Sequence, residues 1–132
     1  MPAPVFQKLT PVVIVDRIEP LLPFYVDALG FVKVADMPHG DRLGFVMLVH
    51  GTIELMFQTL EAAQAGDSGR HLRAGPVCLY LDVADLDDVA AAIGAAPIVC
   101  PRRVAPYGVE ELFVLDPAGN TVGFARPVTA QG

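Results

Sequence analysis

The side chains best suited to chemistry fall into two groups. Glu54 stands in Gly51-Thr52-Ile53-Glu54-Leu55-Met56-Phe57, a turn that runs into an apolar strand. Strand alternation puts Glu54 on one face with Thr52, Met56 and Gln58, and Ile53, Leu55 and Phe57 on the other. An unpaired carboxylate in a dry core is costly. Glu54 therefore reads as a cleft residue, a metal ligand, or a carboxylate held by structural hydrogen bonds. The second group comprises Cys78 and Tyr80, on one face of a later strand with Asp82, and Tyr107, Glu111 and Phe113 around a turn and the strand after it. Tyr80 can hydrogen-bond to an organic ligand or stack on it. Tyr107 and Glu111 suit a cationic or amphipathic ligand at a cleft rim, with turn packing the alternative for Tyr107. Met56 and Phe113 would supply apolar walls. Cys78 shares the Tyr80 face but has no activating neighbour in sequence, so it reads either as part of the ligand-facing row or as a small buried hydrophobe.

Other catalytic patterns are missing from the sequence. No His pair has HExxH spacing, and there is neither a Ser-centred nucleophile elbow nor a phosphate-binding glycine loop. His39, His50 and His71 read as loop or surface groups. Nine basic against fifteen acidic residues give a formal charge of −6. Without a Lys/Arg cluster to neutralise phosphates, nucleic acid is not an expected partner. Every hydrophobic run is interrupted before transmembrane length, and residues Met1 to Lys8 lack a signal-peptide pattern. Cys78 and Cys100 lie in apolar runs and read as packed free thiols of a reducing compartment. A cytoplasmic protein is the expectation.

At 132 residues with 53% hydrophobic content, the chain fits a single domain with one substantial core. Pro11 to Val15 reads as a strand. Asp16 and Glu19 form a candidate capping box for a helix from Glu19 to Leu29, closed by Gly30. Strands follow at Phe31 to Met37, Leu43 to Val49 and Thr52 to Gln58. After a polar bridge the order recurs: a strand at Val77 to Val83, an Asp85-capped helix at Leu86 to Ile93, then strands at Ile98 to Val104, Glu110 to Leu115 and Thr121 to Ala125. Asp16 and Asp85 are 69 positions apart, and so are Glu54 and Gly123. Two landmarks with one offset point to a tandem of β-α-β-β-β modules. The expectation is an α+β fold with module one at about 8–60, a linker at about 61–75 and module two at about 76–128. Its curved sheets would enclose a cleft.

Leu9-Thr10-Pro11-Val12, Phe24-Tyr25 with Leu29-Gly30-Phe31, Glu54-Leu55, Leu79-Tyr80-Leu81, Asp85-Leu86-Asp87, Tyr107-Gly108, Glu111 and Asp116-Pro117-Ala118-Gly119-Asn120 occur in that order over nearly the whole chain. Together they resemble the vicinal oxygen chelate superfamily of glyoxalases, bleomycin-resistance proteins and extradiol dioxygenases. The resemblance implies a cupped eight-stranded site, a homodimer and, commonly, a divalent metal. Carried over by position, the metal ligands would fall at Pro11, Glu54, at or beside Cys78, and at Gly123. Pro11 and Gly123 offer no donor side chain, and a stable divalent site generally needs three or four ligands. The resemblance is closest to the bleomycin-resistance-like branch. It implies metal-independent binding or sequestration of a small organic molecule by Glu54, Met56, Cys78, Tyr80, Tyr107, Glu111 and Phe113, with no cofactor. The rival is a metal-dependent lyase in which Glu54 ligates the metal or shuttles a proton.

Overall fold

Strands form where β-branched and aromatic residues alternate between two faces, in a computed structural model that describes residues 3–66 and 69–128. The first sheet contains β1 (Val12–Val15), β2 (Val32–His39), β3 (Arg42–His50) and β4 (Ile53–Thr59), in the order β1-β4-β3-β2. The second contains β5 (Cys78–Asp82), β6 (Ile98–Ala105), β7 (Val109–Leu115) and β8 (Thr121–Pro127), in the order β5-β8-β7-β6. Each pairs its first and last strands in parallel and the remainder antiparallel. The α+β expectation of two four-stranded mixed sheets holds, although β2 continues to His39 and β8 to Pro127.

One face of each sheet enters a common hydrophobic cluster. Val46, Leu48, Leu55 and Phe57 join Leu112, Val114, Val122 and Phe124, together with Ile18, Leu21, Tyr25 and Leu86. Fully burying such a side chain stabilises the fold by roughly 1.5–3 kcal/mol. The opposite faces stay open. Met47, Glu54, Met56 and Phe113 are half-buried there, and Tyr80 is exposed.

The two helical stretches obey local rules differently. The Asp85 carboxylate accepts the Asp87 N–H at 2.7 Å and opens α2 (Leu86–Ile93), as expected. The bridge after β4 carries α1 (Leu60–Ala65), capped by Thr59, whose hydroxyl accepts the Ala62 N–H at 3.1 Å. The expected Glu19–Leu29 helix and its Asp16–Glu19 capping box are corrected. A 3-10 turn, Glu19–Leu21, leads into a π-helical segment, Pro23–Ala28, and the residue before the turn is Ile18, without a side-chain cap. Glu19 turns instead to β3, where its carboxylate accepts the Leu43 N–H at 2.7 Å. Pro23 has no N–H to donate, so the winding changes there, and the Leu29 N–H reaches the Phe24 carbonyl at 3.1 Å with the wider spacing of a π-helix.

The turn between β7 and β8 ties the two halves of the chain together. Buried Asp116 accepts the Tyr25 hydroxyl at 2.7 Å, the Ala118 and Asn120 N–H groups at 2.8 and 2.9 Å, and the Asn120 side-chain amide at 3.1 Å. Asn120 in turn accepts the Val77 N–H at 3.0 Å ahead of β5. Gly119 completes the turn at φ 85°, which an L side chain rarely adopts. The Asp116–Asn120 segment thus works as a structural latch, and Tyr25 belongs to the core.

Candidate functional site

Side chains from both sheets line a cavity of about 410 Å3, whose walls include Glu54 and Tyr80. Phe31, Ile53, Leu79 and Leu81 supply apolar wall, and Leu9 and Pro11 border it from the segment ahead of β1. Glu54 has a partner that sequence reasoning missed: the Lys8 ammonium lies 2.7 Å from its Oε2. Nothing in the local pattern marks Lys8, because it precedes the first strand and reaches Glu54 only in the folded chain.

Tyr80 links this cavity to a hydrogen-bonded cluster on the open face of the second sheet. Tyr80, Gly123, Phe113 and Cys100 occupy successive strands in one row, with Asp82, Ala125, Glu111 and Arg103 in the next. Glu111 is only 1% exposed, so its carboxylate requires internal donors. It accepts the Tyr80 hydroxyl, the Tyr107 hydroxyl at 2.7 Å, and Arg103 Nη1 at 3.0 Å. The Tyr80 hydrogen bond, then that from Tyr107, holds the Glu111 carboxyl below its ordinary pKa against the opposing effect of burial. The hydrogen bond to Glu111 pushes the Tyr80 phenol up to about 12, and raises the Tyr107 phenol as well. Both phenols stay protonated at neutral pH, with their protons directed inward. Arg103 was missed in the sequence; the irregular β6–β7 register between Cys100 and Arg103 hides its alignment with Glu111.

The remaining expected site residues are placed differently. Phe113 lies beside Tyr80, with ring centroids 6.1 Å apart, and covers Gly123. Met56 is half-buried on the open face of the first sheet beside Val12 and Met47, away from the cavity lining. Cys78 pairs with Thr121 and is exposed, which corrects the expectation of a packed thiol, because it opens edge strand β5. Cys100 is half-buried. His50 and His71 are exposed, while half-buried His39 lies 3.3 Å from Glu61.

The residues present do not fit the metal centre that the resemblance implies. A Cβ built on Gly123 would lie 2.5 and 2.8 Å from Phe113 ring atoms and 3.1 Å from Tyr80 Cδ1, so aromatic rings occupy the space of a ligating side chain. Glu54 is paired with Lys8, and Glu111 is committed to three donors. No group of three or more His, Cys, Asp or Glu side chains suited to a metal ion occurs among the described residues.

The tandem mixed sheets, with a cavity lined from both, define a glyoxalase-type fold. Residues 8–124 match the model of the Glyoxalase/Bleomycin resistance protein/Dioxygenase superfamily, and the chain belongs to that superfamily. Solved structures agree on the fold. Lactoylglutathione lyase from Agrobacterium tumefaciens is similar with a TM-score of 0.74 at 19% identity, covering 94% of this chain and 96% of that one. TioX from Micromonospora sp. ML1 has a TM-score of 0.71 at 20% identity, covering 93% and 100%. TnmS3, an antibiotic binding protein from Streptomyces sp. CB03234, has a TM-score of 0.67 at 21% identity, covering 93% and 97%. No curated protein sequence gives a significant match. No helix among the described residues is long and apolar enough to cross a membrane.

Proposed function

We propose that the protein binds a small organic molecule without a metal, in the cavity between Glu54 and Tyr80. The observation that carries this reading is Gly123: the place of the last expected metal ligand is filled by Phe113 and Tyr80. The cavity combines apolar wall with a few polar groups, as small-molecule sites generally do. Glu111 positions Tyr80 and Tyr107 rather than contacting ligand, and Phe113 backs the Tyr80 ring. TnmS3, a relative in fold, is an antibiotic binding protein. Calorimetric titration of chelator-treated protein with candidate ligands, and separately with divalent metals, tests the proposal.

The rival reading is a metal-dependent lyase, favoured by retention of Glu54 and by the structural likeness to lactoylglutathione lyase. It requires Glu54 to release Lys8 and two or more further ligands to assemble. The proposal also carries a cytoplasmic homodimer. Edge strand β2 exposes Val32, Val34 and Met37, and edge strand β6 exposes Ile98, Val99 and Val104, surfaces that a second copy would cover.

A further inference from the structure

Resting on the small-molecule reading, we propose that the ligand is an organic cation, an ammonium or guanidinium on an apolar body, whose charge takes the place of Lys8 on Glu54. Glu54, a residue of the cavity wall, already holds such a group in tethered form. The Lys8 ammonium sits on Glu54 at 2.7 Å, while the Lys8 side chain is not itself part of the cavity wall. The contact is exchangeable, because the Lys8 and Glu54 side chains are 57% and 24% exposed and an ion pair in that setting is weak.

The segment that carries Lys8 is lightly held. Residues 3–9 are exposed, with Val5, Phe6 and Leu9 each more than 80% open to solvent. The main-chain anchor that follows is the Met56 N–H donating to the Pro11 carbonyl at 3.0 Å. The segment is thus a strap held by the Lys8–Glu54 ion pair close to where it joins the first sheet. A ligand that satisfied Glu54 would release it without disturbing the sheet.

The rest of the lining selects for positive charge. The Tyr80 proton is donated to Glu111, which leaves the phenol oxygen free to accept from a ligand donor, and Tyr80 is exposed in the wall, where an aromatic ring attracts a cation. A second cavity of about 360 Å3 shares Phe31, Ile53, Leu81 and Asp82 with the first, and adds Asp85 and Asp88 to its wall. Four carboxylates, Glu54, Asp82, Asp85 and Asp88, therefore occur in the two linings, and neither lining includes Lys or Arg; Lys8 meets them through its ion pair with Glu54. That distribution attracts cations and opposes anions. A neutral ligand would leave Lys8 where it is.

The test uses three probes of one shape, 4-phenylbutylamine, 4-phenylbutan-1-ol and 4-phenylbutanoate, titrated by calorimetry into wild type, Glu54→Gln and Lys8→Gln. Wild type should bind the amine at least tenfold more tightly than the alcohol, with the carboxylate weakest. Glu54→Gln should erase the preference for the amine. Lys8→Gln should tighten amine binding about three- to tenfold and leave the alcohol unchanged, since it removes only the competing charge. Equal affinity for amine and alcohol in wild type would overturn the cation assignment while leaving small-molecule binding intact. So would an amine affinity unchanged or weakened in Lys8→Gln. Absence of binding by all three probes would overturn the assignment too; stoichiometric metal uptake by the same protein would show that the underlying reading had failed as well.

Discussion

Replacing Gly123 by Ala isolates the steric claim on which the metal-free reading stands. The Gly123 φ is not positive, so the backbone accepts an L residue without strain and the cost comes from contact alone. The added Cβ would lie 2.5 Å from Phe113 Cε2, 2.8 Å from Cδ2 and 3.1 Å from Tyr80 Cδ1, all too close for carbon atoms. Overpacking of this kind costs about 1–3 kcal/mol, against a gain of about 0.5–1 kcal/mol from replacing Gly in a strand. Phe113 is half-buried and can swing, so the net loss should be about 1 kcal/mol, or roughly 3–5 °C in Tm for a domain of this size. Urea unfolding of wild type, Gly123→Ala, Phe113→Ala and the double variant gives the coupling. In the Phe113→Ala background, Gly123→Ala should become neutral or stabilising. Gly123→Ala alone as stable as wild type, with no coupling to Phe113, would show that the position is open to a side chain.

The Tyr25–Asp116 latch gives a second test. Tyr25→Phe should lose about 1–2 kcal/mol of stability, whereas Asp116→Ala should lose about 3–4 kcal/mol because several buried donors lose their acceptor; equal, negligible losses in denaturant melts would contradict the latch. The three tyrosines offer a third. Burial raises the Tyr25 phenol and hydrogen bonds to Glu111 raise Tyr80 and Tyr107, so the folded protein should show no phenolate absorbance step near pH 10, while the unfolded chain should. Because these folded values lie above the unfolded one, their stabilisation is complete below about pH 10 and is lost only as pH rises through the folded values, about 12 for Tyr80. Glu111 has the opposite sign: its folded value is depressed, so its contribution is present above its ordinary value of 4.5 and is lost as pH falls through the folded one. Glu111→Gln should flatten that acid limb and bring Tyr80 and Tyr107 closer to pH 10. Phenolate formation at pH 10 in folded wild type would refute the hydrogen-bond assignment.

Periodicity carried much of the fold. Alternation in Thr52 to Gln58 and in Val77 to Val83 assigned the faces, and the 69-residue offset exposed the tandem of strands. The Asp85 cap was legible because it acts within its own helix turn. The Asp16–Glu19 box was not, because β3 supplies the Glu19 carboxylate with a non-local partner. Tyr80, Tyr107 and Glu111 could be picked out from residue type and strand phase. That Glu111 lies beneath both phenols depended on register across β5, β8 and β7, which no local pattern reveals. Lys8 and Arg103 were hidden for the same reason, and exposure of Cys78 followed from the edge position of β5 rather than from its apolar neighbours.

Calorimetric titration of chelator-treated protein with Zn2+, Ni2+, Mn2+ and Fe2+ tests the central claim most directly, with wild type and Gly123→Glu run side by side and ligand binding measured in chelator and in metal. The account predicts no tight stoichiometric metal binding by wild type and at most weak binding by Gly123→Glu, since Pro11 still offers no donor and the new side chain meets Phe113. Ligand affinity should be the same with and without metal. Tight one-to-one metal uptake by the unmodified chain, with ligand binding or lyase turnover that appears only in the loaded protein, would contradict it.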